Sequence, residues 1–301
     1  MAYDPLIILG MHRSGTSMIT GVLEELGLFV GAQKDPNNES LFFLNLNNWL
    51  FQQANVFWDN PKNFQFLDAA FKHRVLPLLE NYLTDFLKRV KFLGWPRTLR
   101  YKSIKHLDFP WGWKDPRNTF TIDIWKEIFP KARVIHIYRN PIDVAQSLRL
   151  RELEEGRRVK DSAHNPFKNN LRKYYFQYNT RSQRSPKVTS IMAGIQLWED
   201  YVQKAFSLEE LFKNNILNVK YEDLLDTPEH HLKHILDFIK LKASPQRLQA
   251  AIMKIKPERR LAFLRNEKLV GVYEKVKGLE LVKKLDYHEL TQTQEPLLCP
   301  R

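Results

Sequence analysis

The chain has 301 residues, 43% of them hydrophobic and 12% aromatic, with a formal net charge of +13 and one cysteine. That apolar content supports a sizeable core and excludes global disorder, and the lone Cys299 excludes an internal disulfide or a cysteine metal cluster. No apolar run reaches the length of a membrane span and no basic-plus-apolar leader opens the chain, so the expectation is a cytoplasmic protein with an anionic partner.

The first element is a short apolar strand, Leu6–Leu9, which empties into a turn bracketed by Gly10 and Gly15. A helix follows with Met18, Ile19, Val22, Leu23 and Leu26 on one face and Gly27 as its stop. After a polar turn at residues 33–40, residues 41–59 read as a helix or irregular cover with an aromatic face. Helical periodicity returns over residues 68–93, with a kink or break expected at Pro77. Residues 111–117 read as a strand ending in a loop, and Asn118 is the expected N-cap of a helix that Pro130 ends. A second strong strand, 133–138, exits into Asn140 as N-cap and Pro141 at the first helical position, with the helix running to about Arg149.

Residues 149–190 hold eleven Lys/Arg against four Asp/Glu, and 151–189 is read as a basic excursion from the core. Helical pattern resumes at 190, a third strand covers 216–221, and Thr227-Pro228 opens another helix. Strands alternating with helices predict an α/β fold, a parallel sheet covered on both faces, within a single domain spanning 1–301.

Strand, glycine turn and helix N-terminus is the geometry that binds phosphate, because free backbone N–H groups and the positive helix end converge there. Gly10 and Gly15 are spaced as in G-x-x-x-x-G-K-[ST], but Thr16 stands where that motif has lysine, and a cation, Arg13, sits inside the loop. The loop therefore suits an anion other than a metal-bound triphosphate. A P-loop NTPase ends a neighbouring strand in an acid that holds Mg²⁺; here the 133–138 strand ends in Arg139, with Ser147 two helical turns further on. Two anion sites are thus expected at the carboxyl edge of one sheet. Each feature alone also reads as an ordinary turn, surface cation or helix residue.

Arg13-Ser14-Gly15-Thr16-Ser17 resembles the 5′-phosphosulfate loop of the sulfotransferases, and the stretch from Arg139 to Ser147 resembles their 3′-phosphate motif. Tyr221-Glu222-Asp223-Leu224 is similar to a third family segment, whose tyrosine lies near the adenine. The resemblance implies a three-layer, P-loop-like α/β/α fold. It also implies 3′-phosphoadenosine 5′-phosphosulfate (PAPS) as donor, 3′,5′-ADP as product and no metal. The acceptor is implied to be a hydroxyl or amine, a carbohydrate included, and no nucleic-acid partner is expected. Arg13 and Lys114 are the cations implied at the developing charge. The histidine that follows a Lys-Thr pair in the small-phenol branch is missing, since the chain reads Lys114-Asp115-Pro116. The tyrosine-directed branch has a glutamate base after the first helix, which points to Glu39; a helix-end acid is the competing reading, and His12, His106 and Asp115 are alternative bases. Arg117 is a weaker candidate as a support for the loops, Arg259 and Arg260 for reaching the 3′-phosphate from a late loop, and Trp49, Trp58, Trp111 and Trp113 as acceptor-site walls. A divergent P-loop kinase and a non-enzymatic anion or glycan binder are the alternative functions.

Overall fold

A computed structural model describes residues 2–163 and 184–290. Strand β1 (Leu6–Leu9) is completely buried, and it pairs in parallel with β2 (Gly112–Lys114) on one side and β3 (Arg133–Tyr138) on the other. Strand β4 (Ile216–Lys220) pairs in parallel with β3, giving the order β2-β1-β3-β4. Alternate residues of β1 feed opposite faces, as the pleat requires. Ile7 and Leu9 join one apolar cluster, and Leu6 and Ile8 join another with Ile135 and Ile137. Each fully buried Leu or Ile stabilises the fold by roughly 1.5–3 kcal/mol, which is why a four-residue run suffices to specify the central strand.

Helices supply the outer layers. The face of Leu6 and Ile8 is covered by α1 (Thr16–Glu25) through Ile19, Val22 and Leu23. On the face of Ile7 and Leu9 lie α2 (Leu41–Gln53), α3 (Ala69–Thr84), α4 (Phe86–Arg100) and α5 (Asn118–Ile128). The predicted break at Pro77 does not occur: α3 runs through it, and the chain breaks instead at Asp85, which closes α3 and caps α4 by accepting from Lys88 N. Asn118 is not the cap of α5 either. It is the first helical residue, and its side-chain oxygen accepts from Asn47 and the Trp113 indole, so the buried network takes the oxygen that capping would have used.

Helix α6 (Pro141–Ala163) continues fourteen residues beyond the expected end at Arg149. No breaker interrupts it before Gly156, Leu148 and Glu152 are buried on it, and Glu152 accepts from Ser185 N and Arg184. The first part of the expected basic excursion is thus a prolongation of α6; residues 164–183 lie outside the described residues. Helix α7 (Ile191–Ser207) packs along α6, and the chain returns through β4, α8 (Tyr221–Asp226), α9 (Pro228–Ile239), α10 (Pro245–Ile252) and α11 (Glu267–Val276). The connection from β1 leads to β2 on one side and then to β3 on the other. The crevice between the carboxyl ends of β1 and β3 is therefore the topological switch point, where open α/β sheets bind ligands.

Candidate active site

The loop after β1 makes a backbone cradle. Gly10 has φ +139°, and a Cβ there would stand 2.2 Å from the Ile137 carbonyl oxygen, so the loop lies against β3 in a way only glycine permits. Arg13, at φ 71°, occupies the left-handed region, a strained conformation for a side-chain-bearing residue that recurs at ligand sites. Gly15 precedes α1 with no side chain capping the helix, so the N–H groups of the first turn are left open toward the crevice.

The β3 exit is held from three directions. The Trp198 indole of α7 donates to the Arg139 carbonyl at 2.9 Å. The buried Glu222 carboxylate, at the start of α8, accepts from Asn140 N at 2.9 Å and from the Tyr287 hydroxyl at 2.6 Å. Asn140 caps α6 as expected, its side-chain oxygen accepting from Ile142 N. The Arg139 guanidinium donates to Asp143 at 3.1 Å and to the Arg259 carbonyl at 2.8 Å, and it stacks 4.7 Å over the Tyr221 ring. Its buried Nε keeps no protein partner among the described residues.

Arg13 Nε donates to Ser147 Oγ at 2.8 Å, linking the first loop to α6. The two expected anion sites therefore merge: Gly15, Thr16 and Ser17 line the same cavity as Arg139, Ser147 and Tyr221, a space of about 140 Å³. Arg259 and Arg151 reach that cavity as well. Desolvation and the nearby Arg151, Arg259 and Arg139 hold the Arg13 guanidinium below its usual range, as mutual repulsion among cations facing a common space must. Ser14 does not line it; its hydroxyl is buried and has no hydrogen-bond partner among the described residues.

Glu39 and Lys114 meet at the mouth. Lys114, at the end of β2 and 1% exposed, donates to Glu39 Oε1 at 2.9 Å and to Ser17 Oγ at 3.3 Å. Arg117 lies 3.6 Å from the other Glu39 oxygen. Burial raises the Glu39 carboxyl above its ordinary value, opposed by Lys114 and Arg117. The loop carrying Glu39 is pinned by Asp35, which accepts from Asn37 N and Glu39 N, and by Asn38, whose amide donates to Ser17 O. A second buried network fixes the loop after Lys114: Asn47 donates to Asp115 and Asn118 and accepts from Thr121 and the Trp125 indole. Asp115 also accepts from Arg117, so it serves to position Arg117.

Beyond Glu39 a larger polar cavity of about 710 Å³ opens between the 33–39 loop, α2 and α6. His12, Asn37, Glu39 and Arg151 border both spaces. His12 packs edge-on against Trp58 and Tyr201, its Nε2 has no hydrogen-bond partner among the described residues, and burial followed by Arg117 and Arg151 pushes its pKa well down, which favours the neutral ring. Trp58 lines the larger cavity, whereas Trp111 and Trp113 are sealed in the core, 1% and 0% exposed. His106 is exposed and Arg260 pairs with Asp226; neither borders these two cavities. Arg151 was missed in the sequence although its signal was there, four residues after Ser147 on the same helix face.

The family model described as the sulfotransferase family matches residues 5–245, and the chain belongs to that family. A comparison with curated proteins finds no match. Among solved structures, the chain is 15% identical to a sulfotransferase domain from the curacin biosynthetic pathway, covering 96% of this chain and 99% of that one with a TM-score of 0.48. A sulfotransferase from Alicyclobacillus acidocaldarius is 14% identical, with 96% and 98% covered and a TM-score of 0.44. The sulfotransferase domain of the Synechococcus PCC 7002 olefin synthase is 16% identical, with 86% and 81% covered and a TM-score of 0.43. No helix of the described residues is long and apolar enough to cross a membrane.

Proposed function

We propose that this sulfotransferase takes its sulfonate from PAPS and passes it to a hydroxyl, as on a carbohydrate, or to an amine. The observation that carries the reading is the merged cavity, where an open helix N-terminus and four arginines face one small space. Such a set suits a nucleotide with phosphate at both its 3′ and 5′ ends, and the unpartnered Arg139 Nε is a donor still to be used there. Arg139, Ser147 and Arg259 would hold the 3′-phosphate, Gly15, Thr16, Ser17 and Arg13 the 5′ side, and Tyr221 the adenine. When bound, the donor supplies an electrophilic sulfonate and a phosphate leaving group.

The protein's part is electrostatic and positional. Lys114 and Arg13 offset negative charge growing on the bridging oxygen. Glu39 accepts the acceptor's proton, burial having raised its carboxyl and Lys114 and Arg117 offsetting part of that rise. A second reading gives that proton to His12, because its neutral ring borders both cavities with Nε2 unengaged. Glu39→Gln and His12→Asn separate the two: the base is the residue whose removal abolishes turnover while 3′,5′-ADP still binds.

Thermal unfolding with 3′,5′-ADP, 5′-AMP or ATP–Mg²⁺ tests the donor assignment. At a hundredfold excess over Kd, a ligand of the native state adds about 2.7 kcal/mol, or about 4 °C for a chain of this length. The expected result is stabilisation by 3′,5′-ADP without metal, reduced to the 5′-AMP level in Arg139→Ala. Stabilisation by ATP–Mg²⁺ and not by 3′,5′-ADP would overturn it in favour of a kinase.

A further inference from the structure

Asn45 of α2 and Lys91 of α4 line the polar cavity beyond Glu39. Asn45 and Lys91 also border a third space of about 350 Å³, set between α2, α3 and α4 and walled by Phe42, Leu46, Trp49, Leu78, Leu79 and Tyr82. The two spaces share those two residues; the first is of mixed, mainly polar lining and the second mainly apolar. Leu41, Leu44, Asn45 and Asn48 line the first along one side of α2, and Trp49 lies in the second, about 12 Å down the helix axis from Leu41. A cavity of about 150 Å³ holds a benzene ring, so this one, at a little over twice that volume, has room for roughly fourteen carbon atoms.

The cations at its edge are specific. Helix α4 carries five Lys/Arg and no Asp or Glu. Lys91 stands at the junction of the two cavities with no ion-pair partner among the described residues, and Lys88 lies over the Tyr82 ring at 5.1 Å. An apolar pocket, a cation at the wall it shares with the polar cavity, and Glu39 bordering that same polar cavity thus lie side by side. Building on the sulfotransferase reading above, we infer that the acceptor is an amphiphile: its hydroxyl meets Glu39, an anionic group meets Lys91, and an alkyl or aryl tail fills the α2–α3–α4 pocket.

The apolar tail fits this pocket because water confined there has few polar partners: Asn45, the two lysines, the Trp49 indole N–H and the Tyr82 hydroxyl are the polar side-chain groups its lining residues carry. Leu78 and Tyr82 remain 50% and 41% exposed, so two large apolar side chains at the entrance are left uncovered by the protein itself. That exposure also makes Leu78 a position where charge can be introduced without entering the core.

The test uses n-alkyl phosphates of about four to sixteen carbons, each below its micelle-forming concentration, titrated calorimetrically into the full chain saturated with 3′,5′-ADP. Affinity is expected to rise about fourfold per methylene over the first several additions and then level off as the pocket fills. Leu78→Glu should flatten that rise, and Lys91→Glu should weaken every member of the series by a similar factor while leaving the slope intact. An affinity independent of chain length, or a slope that Leu78→Glu leaves unchanged, overturns the proposal. So does a flat series in a protein that self-associates through this face and is made monomeric by Leu78→Glu, since the occupant is then a second copy. Binding of 3′,5′-ADP itself is measured separately. Its absence would refute the donor reading while the chain-length series still decides the pocket.

Discussion

Replacing Lys114 by Met should destabilise the protein because Glu39 is left charged in a buried place. The pair is 2.9 Å apart with side chains 1% and 7% exposed, so solvent screens little of the attraction. Breaking a buried pair by removing one member typically costs 3–5 kcal/mol. Arg117 remains at 3.6 Å from the other Glu39 oxygen, which puts the expected loss at the lower end, about 3 kcal/mol. With an unfolding entropy of about 2.1 cal/mol/K per residue, that lowers Tm by about 5 °C. Glu39→Gln in the same background removes the orphaned charge, so the double variant should recover to within about 1 kcal/mol of wild type. Urea denaturation of the four proteins of this cycle is the assay. Strictly additive single losses, or a Lys114→Met loss below 1 kcal/mol, would refute the argument that Glu39 is held ionised by its buried partners.

Two further outcomes follow from the same geometry. Gly15→Ala places a Cβ at φ +99° and 2.4 Å from the Tyr221 ring, so stability should fall by about 2 kcal/mol and the Tyr221–Arg139 stack should loosen. A urea midpoint unchanged from wild type would contradict the close approach. His136, fully buried in β3, has its pKa pushed down to about 4 by burial, against the hydrogen bond to Asn218. Between pH 6.5 and 4 the unfolded chain takes up a proton that the native state refuses, so stability falls as pH falls, by about 3 kcal/mol at the lower end. The lowered pKa of His12 adds in the same direction. His136→Phe should flatten this acid limb, and an unaltered pH profile in that variant would exclude His136 as its source.

Much of the framework was written locally. Leu6–Leu9 can only be a buried strand, because four consecutive apolar residues between a proline and a glycine have no exposed face to offer. Gly10, Gly15 and the helix after them define the phosphate-type loop through backbone conformation, which depends on neighbours in sequence. Pro141 and Asn140 fix the start of α6 for the same reason. Helix ends and breaks were less legible. Pro77 is carried inside α3, where packing of Val75, Leu79 and Leu83 outweighs the lost hydrogen bond, and α6 is extended past Arg149 while burying Glu152 against Arg184 and Ser185.

What the order of residues determined by itself was the parallel α/β architecture, the glycine loop and the basic exit of β3. Those features rest on periodicity and backbone geometry, which operate over a few residues. Only the tertiary structure decided that the glycine loop and the β3 exit line one cavity, that Glu39 meets Lys114 across 75 positions, and that Arg13 reaches Ser147 across 134. It also set Trp111 and Trp113 in the core and Trp49 in a pocket, although all four candidate tryptophans look alike in the sequence. Such distinctions arise from contacts between residues remote in the chain, and a contact of that kind leaves no local pattern to read.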